Sequence, residues 1–128
     1  MKLMTLILMM VFSLSSFAAW NEVECEGKLD GKTIRVEIEQ SFPNDSYFKR
    51  AELTITENGA DENHSYTVSR SNFGFNRIEY RGAGLQLEVD LWPDQRPRWG
   101  MRYAGTLLSS ALGNKYIRGF RCQFPNAH

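Results

Sequence analysis

Two histidines, two cysteines and fifteen carboxylates are the groups in this 128-residue chain that could do chemistry. Their spacing assembles none of the familiar reactive sets. His64 sits in the polar stretch Glu62-Asn63-His64-Ser65, and His128 is the last residue. Neither belongs to a His-Glu-x-x-His motif or to a cysteine-rich ligand set, so no metal site and no cofactor is expected. There is no Gly-x-Ser-x-Gly elbow and no phosphate-cradling glycine loop. Glu57, Asp61 and Glu62 could in principle approach a calcium ion, but their spacing fits no calcium loop, and a solvated acidic turn is the simpler reading. Glu88 and Asp90 alternate with apolar residues, which puts them on the polar face of a strand rather than in a cleft. The chain therefore reads as a binding module with no catalytic residue. A small secreted hydrolase with an unrecognised site, or an envelope structural or assembly protein, is the alternative.

Recognition chemistry is better represented. In Phe73-Gly74-Phe75 the glycine permits a sharp turn that throws two rings to one side. In Trp92-Pro93-Asp94-Gln95-Arg96-Pro97-Arg98 two prolines restrict the backbone, so Arg96 and Arg98 are held beside an indole. Arginine beside aromatic rings suits carboxylate, phosphate or sugar groups. Phe42, Phe73, Phe75, Trp92, Arg96 and Arg98 are accordingly the candidate ligand-binding residues, for a protein, a glycan or a small ligand. The competing expectation is that the aromatics fold down and plug the end of the domain.

What must position these residues is a small exported domain. Lys2 is followed by an apolar run from Leu3 to Phe12 and then by Ser16-Phe17-Ala18, a small-x-small cleavage pattern. Residues 1–18 are thus expected to be a cleavable signal peptide, leaving 19–128 as one domain, periplasmic or secreted, with no further membrane segment. Two cysteines in an exported chain imply a Cys25–Cys122 disulfide that clamps nearly the whole domain. The 15 basic and 15 acidic residues balance, and loss of Lys2 with the signal leaves 14 minus 15, or −1. Such a balance argues against nucleic acid as a partner and is consistent with a monomer or weak dimer. Acids crowd residues 22–62 and none follows Asp94, a gradient expected to pair across joined strands.

Apolar residues recur with a period of two throughout the domain. Val23, Cys25 and Gly27 alternate with Glu22, Glu24 and Glu26; Ile34, Val36 and Ile38 alternate with Arg35, Glu37 and Glu39. Asp30-Gly31 between them is a hairpin signal, pairing Leu29 with Lys32, Glu26 with Arg35, Cys25 with Val36 and Val23 with Ile38. Further strands are predicted near 47–57, 64–70, 78–80, 85–91, 99–103 and 116–124. A helical turn could lie in Leu107–Leu112. In the last strand Ile117 is out of phase with Phe120 and Cys122, which a bulge at Gly119 would repair. The fold expected is all-β: an antiparallel meander of about eight strands, closed or nearly closed as a barrel, with a two-sheet sandwich as the alternative. In such a meander alternate connections share an end. That gathers residues 41–46, 71–76 and 92–98, with all six candidate binding residues, at one end.

Trp99-Gly100-x-x-Tyr103-x-Gly105 resembles the tryptophan, tyrosine and glycine spacing of calycin-type barrels over about seven residues. The size and single disulfide are also similar to small periplasmic lysozyme-inhibitor barrels. Both resemblances imply a closed β-barrel. Neither family's diagnostic loop motif is present, so no functional residue is carried over.

Overall fold

The backbone follows the alternation nearly everywhere. A computed structural model describes residues 21–39, 48–73 and 76–127, with Phe73 described by its backbone. Eight strands succeed one another: β1 (Asn21–Leu29), β2 (Lys32–Glu39), β3 (Phe48–Glu57), β4 (Ala60–Phe73), β5 (Arg77–Gly82), β6 (Leu85–Asp90), β7 (Tyr103–Ser109) and β8 (Tyr116–Gln123). Each runs antiparallel to the next, and β8 pairs back onto β1, so the sheet closes as a barrel rather than splitting into a sandwich. Closure removes both sheet edges.

The β1–β2 hairpin has the register its sequence predicts, from Leu29 opposite Lys32 to Val23 opposite Ile38. Asp30 and Gly31 both take positive φ (51° and 78°), the mirror-type turn that matches strand twist. Asn58-Gly59 makes the same turn (53° and 79°) and pairs Glu57 with Ala60. Residues 58–63, which read as an acidic loop, are therefore the turn and the first rungs of a fourteen-residue β4. These rungs are polar: the Thr54 hydroxyl donates to Asn63 at 2.9 Å and the Thr56 hydroxyl to Asp61 at 2.7 Å. With no apolar alternation there, the strand is invisible to a period-two search.

Two other expectations shift. β7 starts at Tyr103, and Trp99 and Met101 lie outside it on an exposed loop. Pro93 and Pro97 cannot donate to a ladder, and Gly100 at φ 82° turns the chain away until Tyr103. In β8, Ile117 and Phe120 are both buried while Arg118 is exposed. Gly105 and Leu107 oppose Phe120 and Ile117, so β8 carries one extra residue, with Gly119 at φ 89°. The glycine bulge resets the phase as anticipated. A short 3-10 turn, Ser110–Leu112, follows β7.

Inward side chains form one apolar core. Val23, Ile34, Val36, Ile38, Leu53, Ile55, Val68, Leu85, Leu87, Val89 and Tyr103 are all buried, together with Tyr80, Phe120 and Phe124. An eight-strand barrel is just wide enough to be filled this way. At the seam Glu24 faces Gln123, Cys25 faces Cys122 and Glu26 faces Arg121. The disulfide staples the middle rung, its Cα atoms 4.0 Å apart and its cysteines 97 residues apart in sequence. Gly105 makes room for it, because a Cβ there would stand 2.6 Å from the Cys122 sulfur. A disulfide-bonded small barrel is compatible with an oxidising compartment. No helix among the described residues is long and apolar enough to cross a membrane.

Candidate binding face at the barrel mouth

Strand direction sorts the connections into two ends. One end holds the tight turns Asp30-Gly31, Asn58-Gly59 and Ala83-Gly84 and the 3-10 turn. The other, the mouth, receives the β2–β3, β4–β5 and β6–β7 connections. Of the six candidate binding residues, Trp92, Arg96 and Arg98 lie on the β6–β7 loop at the mouth, and Phe73 ends β4 there. Phe42 and Phe75 fall outside the described residues, as does the stretch 1–18 read as a signal.

The β6–β7 loop is built onto the barrel. The Leu91 N–H donates to the Asn76 carbonyl at 2.7 Å, tying the loop to the β4–β5 connection. The Asp94 N–H closes a turn on the Leu91 carbonyl, and the Trp92 N–H donates to the Asp90 carboxylate at 3.0 Å. Core residue Tyr103 holds the far side: its hydroxyl donates to Asp94 at 2.7 Å and accepts from the Arg98 N–H at 3.0 Å. The Arg98 guanidinium lies 3.6 Å from Asp94. These bonds fix a platform from which Trp92 and Trp99 project with 72% and 73% of their surfaces open to solvent. Phe48 and Met101 are also exposed at this end. Trp92 does not plug the barrel.

Beneath the platform the barrel interior turns polar through a bulge that alternation alone conceals. Asn21 pairs with Glu39 and Val23 with Ile38, so Glu22 is an extra residue in β1. Parity flips there. Asn21 donates to Glu24 at 2.9 Å and Glu37 at 2.7 Å on the outer face, while Glu22, expected outside, turns inward. Its carboxylate meets Lys49 and Arg70, each at 2.9 Å, and accepts a short hydrogen bond from the Tyr80 hydroxyl. The charges are thereby paired where water is scarce, as burial requires. No buried side-chain polar atom among the described residues lacks a partner.

Burial, and then the neighbouring Glu22 charge, push the Tyr80 phenol well above its ordinary value, with Arg70 opposing. The unfolded chain ionises its tyrosines near pH 10. The stability associated with neutral Tyr80 is therefore complete below that pH and drains away as pH rises towards the folded value. Alkaline spectrophotometric titration should show two delayed tyrosines. One is Tyr103, raised by burial and its bond to Asp94. The other is Tyr80, raised well above the ordinary value and ionising in step with unfolding, and Tyr80→Phe should remove this second phase. Full tyrosine ionisation near pH 10 with the barrel intact would contradict the assignment.

A cavity of about 90 Å³ opens beside this network at the mouth. Arg70, Arg77 and Arg96 surround it with Asn72 and Gln95, and Leu91 contributes an apolar wall. A larger groove of about 440 Å³ runs along the outside of the seam, where Glu24, Glu26 and Glu37 alternate with Arg35, Arg102 and Arg121. No group of three His, Cys, Asp or Glu among the described residues could hold a metal ion. Neither a family model, nor a curated protein, nor a solved structure matches this chain.

Trp99 and Met101 alternate with polar residues and so imitate a strand. Lys49 and Arg70 are charges at inward parity, a signal that was present but is usually taken for a strand end. Glu22 depended on a bulge that no glycine announces.

Proposed function

We propose that this chain is an exported binding module that recognises a protein partner through the mouth of its barrel. The reading rests on the β6–β7 platform, where two tryptophans stand open to solvent on a loop already fixed by hydrogen bonds. Tryptophan, methionine and arginine are the residues that protein interfaces favour, and Trp92, Trp99, Met101, Arg96 and Arg98 lie within one short segment. A loop that is fixed before binding loses little conformational freedom on association. The filled interior favours recognition at the surface over enclosure of a small ligand.

The test compares Trp92→Ala with Trp99→Ala, combined in one protein, against Tyr116→Ala, an exposed aromatic at the tight-turn end. Wild-type protein immobilised on beads is offered an extract of its own cell envelope, and the retained species is purified and titrated. The double variant should bind that species at least roughly tenfold more weakly, in the range of interface hot spots. Its melting temperature should stay within a few degrees of wild type, as for exposed substitutions generally. Tyr116→Ala should bind normally. Equal binding by the tryptophan variant would overturn the reading, and a retained species that is a polysaccharide would replace the protein partner with a glycan.

A further inference from the structure

We infer that the cavity between Arg70 and Arg96 is a subsite for a compact oxyanion, a carboxylate or phosphoryl group presented by the partner. The inference rests on the mouth being the binding face, and it adds the chemistry of one position on it. Three arginines and two primary amides surround the cavity, and no carboxylate among the described residues lines it. Two of the arginines are already balanced. Arg70 reaches Glu22 at 2.9 Å from inside the barrel, and Arg77 reaches Glu88 at 3.3 Å on the outer face. Arg96 has neither a hydrogen-bond nor an ion-pair partner among the described residues, and it lines the cavity from the loop that the Leu91–Asp94 hydrogen bond turns. Like charges gathered around a small space favour whatever anion enters it, and the apolar wall strengthens that attraction by excluding water. The cavity, about 90 Å³, has room for one carboxylate or phosphate.

Glu22 explains how the site stays assembled when empty. Its carboxylate holds Arg70 through Nη1, and Arg70 also lines the cavity. Guanidinium presents five donors in a planar fork, so one carboxylate does not exhaust it.

Inorganic phosphate and N-acetyl-aspartate N-methylamide, each titrated into the ¹⁵N-labelled protein at fixed ionic strength, test the site. Saturable shifts should appear at the amides of Asn72, Gln95 and Arg96. Arg96→Gln should weaken binding by roughly tenfold, the scale of one charge-assisted hydrogen bond. Arg118→Gln, an exposed arginine on β8, should leave it unchanged. Tighter binding of the aspartate derivative assigns the site to an acidic side chain, and tighter binding of phosphate to a phosphoryl group. Shifts that fail to saturate with either probe, or an Arg96→Gln protein that binds like wild type, would overturn the subsite. The two readings fail separately. A partner that needs Trp92 and Trp99 on a protein with no phosphate site removes only the subsite, whereas an Arg96-dependent phosphate site beneath tryptophans the partner ignores removes only the binding face.

Discussion

Replacing both cysteines, Cys25→Ala with Cys122→Ala, should lower the unfolding free energy by about 4–5 kcal/mol in the chain-entropy account of a loop this long. The bond closes 97 residues, nearly the whole described domain, so its loss enlarges the unfolded ensemble more than almost any other cross-link could. It also sits at the weakest joint. β1 and β8 share three paired rungs, against ten between β3 and β4, and the disulfide is the middle one of the three. The side-chain bonds that join β1 to the C-terminal segment are weaker than the staple: Gln123 donates to Glu24 at 3.2 Å on the exposed face and Asn126 donates to the Asn21 carbonyl at 2.8 Å, each worth about 1 kcal/mol. Domains of this size typically have 5–15 kcal/mol in all, so the double variant should unfold at much lower urea concentration. A loss below about 1 kcal/mol would mean that the seam holds without its staple, outside the range expected for native disulfides.

Leu87→Ala should cost about 2–5 kcal/mol, the range for emptying a packed aliphatic site. Leu87 is fully buried on β6, with Tyr80 beside it on β5 and Leu107 on β7. Those neighbours belong to closed strands and cannot collapse into the gap. Gln86→Ala, one position along and on the outer face, loses only a 3.5 Å hydrogen bond to Glu79 and is the control, expected to change stability by less than about 1 kcal/mol. Chemical denaturation of the two variants distinguishes a filled barrel from a hollow one. Near-equal values would mean that the interior is not the packed core described above.

Where the chemistry of the chain is local, its structure is legible. Asp30-Gly31 determines a turn, the turn determines the register of β1 on β2, and that register carries Cys25 inward to face its partner across the seam. β6 shows the same directness, with Leu85, Leu87 and Val89 inward and Gln86, Glu88 and Asp90 outward. Legibility ends where pairing is polar or where phase slips. The Thr54–Asn63 and Thr56–Asp61 rungs extend β4 without an apolar residue to mark them. Trp99 and Met101 have strand spacing, but prolines and a left-handed glycine hold them out of the ladder. The candidate site was legible in part: alternation placed Trp92, Arg96 and Arg98 at one end. The inward turn of Glu22 towards Lys49, Arg70 and Tyr80 follows from a bulge in the β1–β2 ladder that no glycine or proline announces.

Site-specific photocrosslinking tests the binding face most directly. A benzophenone amino acid is placed at position 92 in one protein and at position 116 in another, and each is irradiated in its native compartment. The position-92 protein should form one discrete covalent adduct with a protein partner, lost when unlabelled wild-type protein competes, and the position-116 protein should form none. Adducts from position 116 alone, or the same adducts from both, would contradict recognition through the mouth of the barrel.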